Sequence, residues 1–386
     1  MKRKTIALIL ALSVFFGLCS CRTEETTEIT EPSVPTESTV PAEIYEFISE
    51  STRYIDPDNG DDTEALVEEA ISGMERAILV RNGNGFLDRN FLNSLDYGSF
   101  WVKSFSYFDY EAGENIYTIY IFDYGGLTAE EVASMKGEID SAMFQLIAAL
   151  PPRANDPWKK TLAVHDELID RTVYTPASGE GSGNAGNIYG ALVENTANAA
   201  GYAFAMRQIL HAMGISSSVV TSDIHSWVRI EDDYGDVFID TAADDTTSED
   251  SGGRLYRNYE YFGLTEPEVR QIDPGAYFLP TDGGRTGFNY YSHEGWLFTD
   301  FGSVDVTNAF REQYEGGANI LTVRFENEDS YQAALDFFSD STRTWNVLRS
   351  SGVTESDCWK IHNDDLFILS IGLDNIEEEE TEEPEA

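Results

Sequence analysis

The chain has 386 residues and a formal net charge of −44 at neutral pH, because 69 acidic side chains face 25 basic ones. A charge of this sign repels phosphate backbones and anionic headgroups, which argues against nucleic acid as a partner. Two of the three cysteines lie within the first 21 residues, so the folded part has no internal disulfide available. The sequence indicates no cofactor and no metal site.

The N-terminus predicts export. Three basic residues at positions 2–4 precede an apolar run at 6–18, which is too short for a permanent membrane span but suits a secretory signal. The run ends in Leu-Cys-Ser-Cys, which resembles a bacterial lipobox. By that resemblance the chain is cut after Ser20, Cys21 is diacylated, and the protein is anchored to the cell membrane through this lipid alone, facing outward. A plain secretory signal is the alternative.

Composition predicts how the rest of the chain is organised. Residues 21–43 are rich in Thr, Glu and Pro and cannot bury enough apolar surface to fold, so they form a disordered tether. The expected divisions are a lipoprotein signal peptide at 1–20, the tether at 21–43, an N-terminal α+β region at 44–150, a core at 151–275, a C-terminal α+β region at 276–373 and an acidic tail at 374–386.

The N-terminal region mixes helix and strand. Helical spacing of apolar residues after an Asp cap predicts a helix over 61–79. Alternating aromatic and polar residues predict two strands, 99–110 and 114–124, joined by a short turn. A second helix is expected over 130–150, and two prolines follow it.

The core contains the residues that could carry chemistry. A helix is predicted over 159–173, and a glycine-rich loop separates it from a long apolar helix over 193–215. Strands are expected over 217–222, 225–231 and 236–245.

The last two of these strands can be paired. An even-length loop within 232–235 makes them an antiparallel hairpin with His225, Trp227 and Asp240 on one face. His225 and Asp240 are then close enough to contact each other, as the base and the orienting carboxylate of a nucleophilic site do. An ordinary hairpin face with no catalytic role is the alternative.

The C-terminal region predicts a small α+β unit packed on the core. Helices are expected over 304–316 and 330–342, with a strand over 320–326 between them. Two final strands are expected around Cys358 and over 366–373.

Five segments of the chain, in order, carry a resemblance: VHDELIDRTVY, GYAFAMRQILHAMGI, HSWVRI, VFIDTAADD and YEYFGLT. Together they resemble bacterial transglutaminase-like domains of the papain-like superfamily. The resemblance covers about a hundred residues and implies a transglutaminase-like core, an antiparallel sheet packed on a central helix, flanked by smaller α+β regions.

The resemblance assigns roles to individual positions. His225 matches the general base and Asp240 the residue that orients it. Gly201 and Tyr202 match a small-aromatic pair at the start of the central helix. Ala199 occupies the position of the cysteine nucleophile, and a methyl group cannot attack a carbonyl.

Three other residues are candidates for a replacement nucleophile. Cys358 lies in a predicted C-terminal strand, and neither Thr196 nor Ser226 holds the helix-start position. Val228 and Ala243 also depart from the residues that the family usually carries, which agrees with lost activity. The resemblance therefore implies a pseudoenzyme.

Two functions follow as expectations. The first is a non-catalytic cell-envelope lipoprotein that binds a polypeptide or cell-wall peptide as a scaffold, with Gly201, Tyr202 and Trp227 at the binding site. The second is an active amide hydrolase or acyltransferase with an unrecognised nucleophile. The acidic residues along the hairpin could bind calcium or be solvated turn carboxylates, and the absence of EF-hand spacing favours solvated carboxylates.

Overall fold

The computed structural model describes residues 52–83, 86–112, 114–151, 156–176, 183–222, 225–231, 236–246, 258–275, 289–354 and 357–374. The predicted signal peptide, the tether and the acidic tail lie outside these residues. The described residues form two compact units that divide between Phe144 and Gln145. Both units contain helices and sheets, so the predicted α+β class is confirmed. The finer domain borders stay predictions.

The first unit is built on one mixed sheet. Its strands follow the order β1-β2-β4-β3, with β1 and β2 parallel and the others antiparallel. The elements are β1 Arg53–Ile55, α1 Thr63–Ser72, β2 Ala77–Arg81, α2 Arg89–Ser94, β3 Ser104–Ala112, β4 Asn115–Asp123 and α3 Ala129–Ala149. The predicted hairpin and closing helix are present as β3, β4 and α3.

The first predicted helix is shorter than its apolar spacing indicated. Asp62 caps α1 as expected, but the helix ends at Ser72, and Met74 adopts a positive φ of 54°. Ile78, which the spacing placed on the helix, lies buried in β2. A left-handed residue ends the helix, and a short spacing pattern alone does not reveal it.

The core of the second unit is an antiparallel sheet in the order β10-β9-β8-β7. Its elements are α4 Pro157–Arg171, β5 Val173–Tyr174, β6 Thr196–Ala197, α5 Ala199–Ala212, β7 Ser217–Thr221, β8 Ser226–Ile230, β9 Val237–Ile239, α6 Thr241–Asp244, β10 Phe262–Leu264 and α7 Glu266–Ile272. α5 packs on β7 and β8, and α4 and α6 pack on α5. An antiparallel sheet packed on a central helix is therefore observed, as expected.

The central helix begins later than predicted. The expected helix over 193–215 is divided by a π-helical turn at Gly190–Glu194, by Asn195 with a φ of 54°, and by the short strand β6. Asn198 then caps α5. Because Asn readily adopts left-handed and capping conformations, it interrupts an otherwise continuous helical pattern.

The C-terminal part of the second unit has its own sheet in the order β11-β12-β14-β13. Its elements are α8 Tyr290–Glu294, β11 Leu297–Phe298, α9 Ser303–Glu315, β12 Ile320–Phe325, α10 Glu328–Phe338, α11 Ser341–Ser350, β13 Asp357–Asn363 and β14 Ile368–Asp374. α11 was not predicted; it is a separate helix that begins after the N-cap residue Asp340. An ion pair between Arg324 and Glu268 joins this sheet to the core.

Within the residues that the model covers, none of the helices has the length and apolar character needed to cross a bilayer.

Candidate functional site

The β8–β9 hairpin brings His225 and Asp240 together. Arg229 pairs with Phe238, and Val228 with Ile239, which is one of the registers that an even-length loop allows. His225 lies just before β8 and Asp240 just after β9. His225 Nε2 donates a hydrogen bond to Asp240 Oδ2. The two residues are thus diagonal neighbours on one face of the hairpin, within direct contact.

Asp240 has a second role, which the predicted strand over 236–245 does not include. β9 ends at Ile239, and Asp240 is the N-cap of α6, with Oδ1 accepting the Ala243 N–H at 3.0 Å. Asp240 is 2% exposed, so the carboxylate is held by the helix start on one oxygen and by His225 on the other. Two fixed oxygens orient the imidazole ring firmly.

His225 lies where its protonation can be controlled. Its side chain is 27% exposed. Burial alone lowers the pKa of His225, but the hydrogen bond to Asp240 and the charges of Asp240 and Asp273 outweigh burial and raise it above the ordinary value. The ring is therefore biased toward the imidazolium form, with Nε2 committed to Asp240.

Ala199 is the first residue of α5. Asn198 caps the helix, and its side-chain oxygen accepts the N–H groups of Ala200 at 2.9 Å and Gly201 at 3.3 Å. The N-terminus of a helix favours negative charge, because its dipole and its unpaired N–H groups point outward. A thiolate at position 199 would be stabilised there, whereas the methyl group of Ala199, which is 7% exposed, gains nothing.

Gly201 allows close packing behind this helix start. A Cβ at Gly201 would lie 2.3 Å from the carbonyl oxygen of Ala185. The same carbonyl accepts the Asn198 N–H at 2.8 Å, so the loop at Ala185 and the first turn of α5 are bonded together. The small residue expected here is thus explained by backbone packing, and it presents no side chain for binding.

Tyr202 is also structural in its contacts. It is 1% exposed, and its hydroxyl lies 2.9 Å from the carbonyl oxygen of Thr172 and bonds to Asp245 Oδ2. Burial and the charge of Asp245 raise the pKa of Tyr202 well above its ordinary value, so the phenol stays neutral. Its hydroxyl joins the first turn of α5 to the residue that follows α6.

Trp227 supports the hairpin face. It is 2% exposed, and its ring packs edge-on against the His225 ring with the centroids 5.3 Å apart. Its indole N–H is buried and has no hydrogen-bond partner among the residues described. The aromatic body therefore limits how the imidazole can move.

Contacts among these elements hold the start of α5 and the His225–Asp240 pair in one packed core. α5 packs against both β8 and α6. Besides the Tyr202–Asp245 bond, Thr241 Oγ1 contacts Met206 Sδ at 3.1 Å, so α5 and α6 are joined twice. The position of Ala199 on α5 and the His225–Asp240 pair consequently belong to the same packed core.

The other nucleophile candidates lie in other elements of the fold or face away from His225. Cys358 sits on β13 and packs against the apolar cluster of the C-terminal sheet, whereas Trp227 belongs to a different cluster. Thr196 lies in β6 before the helix, and Ser226 is 7% exposed on β8 directly after His225. Adjacent strand residues point to opposite faces, so Ser226 faces away from the His225 side.

The acidic residues of the hairpin do not share a ligand. Asp236 pairs with Arg229, Asp244 with His165, and Asp245 with Tyr202. In the part of the chain that the structure describes, no group of three or more His, Cys, Asp or Glu side chains is arranged to hold a metal ion. Asp232, Asp233 and the lipidation candidate Cys21 lie outside the described residues.

A second histidine–carboxylate cluster was missed by the sequence analysis. His165 on α4 is fully buried, and its Nε2 lies 3.2 Å from Asp244 Oδ2 at the end of α6. These residues are 79 positions apart, and no local pattern links them. The His165-Asp166 pair was visible in the sequence, but its partner was not.

Comparisons with known proteins return structural likenesses but no match in sequence. No family model and no curated protein matches the chain. The chain is similar to the crystal structure of a TGase over 49% of this chain and 59% of that one, with 11% identity and a TM-score of 0.25. It is similar to the crystal structure of menin, described with its binding site for the Mixed Lineage Leukemia (MLL) protein, over 30% of this chain and 26% of that one, with 17% identity and a TM-score of 0.22.

The matched regions thus span less than two thirds of either protein. At these scores neither likeness identifies a function, so any functional proposal depends on the chemistry of the site.

Proposed function

We propose that the chain is a lipid-anchored envelope protein whose transglutaminase-like core binds a polypeptide or a cell-wall peptide without cleaving it. The observation that supports the proposal is a histidine held by a carboxylate in a core that has alanine at the position of the nucleophile. His225 is bonded to a buried Asp240, while the central helix packed on the same hairpin begins with Ala199. This arrangement supports a site that keeps the histidine–carboxylate pair of a nucleophilic centre and lacks the nucleophile.

Such a site still offers directed hydrogen bonding. Because Asp240 holds Nε2 of His225, Nδ1 is the ring nitrogen that can meet a ligand. The raised pKa of His225 favours the protonated ring, in which this nitrogen is a charged donor. A peptide carbonyl or a terminal carboxylate is the matching acceptor, and a hydrogen bond from a charged group contributes about 1.5–3 kcal/mol.

Binding and turnover can be measured together. The full chain in mild detergent is titrated calorimetrically with reduced, alkylated casein and with cell-wall stem peptides, and the mixtures are analysed by mass spectrometry and for released ammonia. We expect saturable binding to one of these ligands with no new product. His225→Ala should weaken binding at least about tenfold, since it removes a charged hydrogen bond.

His362→Ala is the matched control. His362 is a histidine of the C-terminal sheet with a half-exposed side chain, and its removal should leave binding unchanged. Absence of binding to both ligand types, or equal loss in both variants, would contradict the peptide-binding proposal. A product that depends on His225 would instead establish the alternative, an active amide hydrolase or acyltransferase.

The membrane anchor is tested separately. The lipobox resemblance at Cys21 supports the anchor, and removal of that thiol should prevent acylation. In a bacterial host, the Cys21→Ser chain should leave the membrane fraction, whereas Cys19→Ser should stay in it. Equal membrane retention of both variants would exclude Cys21 as the lipidation site.

A further inference from the structure

A buried ionic cluster lies under the turn that carries Asp240. His165 Nδ1 is 3.2 Å from Asp166 Oδ1, and its Nε2 is 3.2 Å from Asp244 Oδ2. The imidazole and the Asp244 carboxylate are both fully buried. The rings of Tyr259 and Phe262 cover the imidazole, with centroids 5.6 Å and 5.1 Å away.

Buried charges at this position are costly and need a reason. An apolar side chain of similar size would fill the space between α4 and α6 without any desolvation penalty, and buried ion pairs are weak evidence for stability. Buried ionic groups do fix one geometry, because each has few acceptable partners. His165 is thus a candidate for a geometric role.

The cluster connects directly to the proposed site. Asp244 is the last residue of α6, the turn that Asp240 caps. Asp244 Oδ1 accepts the Tyr261 N–H at 3.0 Å, while the Asp240 N–H donates to the Tyr261 carbonyl at 3.1 Å. The Asp244 N–H also donates to the Asp240 carbonyl at 3.1 Å. Both ends of the turn are therefore held against Tyr261.

We infer that His165 is a positioning residue, which acts through Asp244 to fix the α6 turn and thereby the Asp240 carboxylate that orients His225. The inference rests on the proposed function in so far as the His225–Asp240 pair is the working part of the site. The described contacts of His165 are with Asp166, Asp244, Tyr259 and Phe262 and do not include His225. Its effect passes through the backbone of residues 240–244, a single short turn.

A role in core filling predicts a different outcome from a role in positioning. Phe at position 165 fills the same space and packs well with Tyr259 and Phe262, but it cannot bond Asp244. Gln at this position can still donate to Asp244. If His165 only fills space, both variants leave His225 unaffected. If His165 positions the turn, Phe disturbs His225 and Gln largely restores it.

The readout is the pKa of His225, measured by NMR on the full chain in mild detergent with 13C-labelled histidine. The chain has five histidines, so single variants assign each resonance. In the native protein Asp240 and Asp273 raise the pKa of His225. His165→Phe should lower this pKa toward its ordinary value, because the Asp240 bond is no longer held. His165→Gln should retain most of the original value.

Two further variants keep the experiment decisive. Asp166→Asn removes the charge of the other carboxylate beside His165 and keeps Asp244 in place, so it should leave the pKa of His225 unchanged. Asp244→Asn breaks the same ionic contact from the opposite side and should lower it, which decides the question if the Phe variant does not fold. An unchanged His225 pKa in a folded Phe variant, or in Asp244→Asn, overturns the inference. Peptide binding plays no part in the readout, so its failure is a separate result.

Discussion

Replacing His165 by Gln should change how stability depends on pH. His165 is completely buried between Asp166 and Asp244. Burial by itself lowers the pKa of His165, but the hydrogen bonds to the two carboxylates outweigh it and raise the pKa to about 9. Relative to about 6.5 in an unfolded chain, this difference corresponds to about 3 kcal/mol of stabilisation of the protonated, folded state.

The direction of the effect follows from the raised pKa. The folded protein binds the His165 proton more tightly than the unfolded chain does, so the contribution is complete below pH 6.5. It is lost as the pH rises from 6.5 to about 9. Glutamine does not titrate. The free energy of unfolding of the native chain should therefore fall relative to that of His165→Gln across this interval, by at most about 3 kcal/mol, because burial raises the pKa of Asp244 to about 7 and this carboxyl also titrates there.

Urea unfolding at a series of pH values measures this difference. Tryptophan fluorescence is a suitable signal, because all tryptophans except Trp101 lie beyond residue 144, in the same unit as His165. His362→Gln, a change at a half-exposed histidine, is the matched control and should follow the native curve. Parallel curves for the native chain and His165→Gln between pH 6 and 9.5 would refute the reasoning.

Two further predictions concern the start of α5. Gly201→Ala should lower the free energy of unfolding by about 2–3 kcal/mol, because the new Cβ would lie 2.3 Å from the Ala185 carbonyl oxygen. Gly137→Ala, in open space on α3 of the first unit, should instead raise the free energy of unfolding by about 0.5–1 kcal/mol; equal effects in urea unfolding followed by circular dichroism, which reports both units, would contradict the packing argument. Tyr202→Phe should lower the free energy of unfolding by about 2 kcal/mol, since it leaves buried acceptors unpaired. Tyr174→Phe, at a more exposed tyrosine, should change it little, and the same unfolding assay separates the two variants.

The hairpin register was predictable because strand periodicity is strict. Any even loop within 232–235 places His225 and Arg229 on the same face as Phe238 and Asp240, and the observed pairing of Arg229 with Phe238 agrees with that face. The diagonal placement of His225 and Asp240 follows from the same pairing. The sequence did not show that Asp240 also caps a helix, because α6 is one short turn and its residues continue a strand-like pattern.

The environment of the site was much less predictable. The start of α5 depends on Asn195 and Asn198, which interrupt a continuous apolar helical pattern. The contact of His165 with Asp244 joins residues 79 positions apart, and only the tertiary fold brings them together. Likewise, the burial of Tyr202 and Trp227 shows packing roles for two residues that the resemblance placed at a binding site.

The proposed function requires that Ala199 stands at a nucleophile position where only the nucleophile is missing. Ala199→Cys tests it directly, with the rate of iodoacetamide labelling at each cysteine measured against pH by peptide mass spectrometry. Cys358 on β13 serves as an internal reference in the same chain. The start of α5 and a protonated His225 both favour a thiolate, so the new thiol should have a pKa of about 7 or below. His225→Gln in the same chain should return the pKa of this thiol toward 8.5. A thiol at position 199 that titrates near 8.5 with His225 intact would contradict the claim.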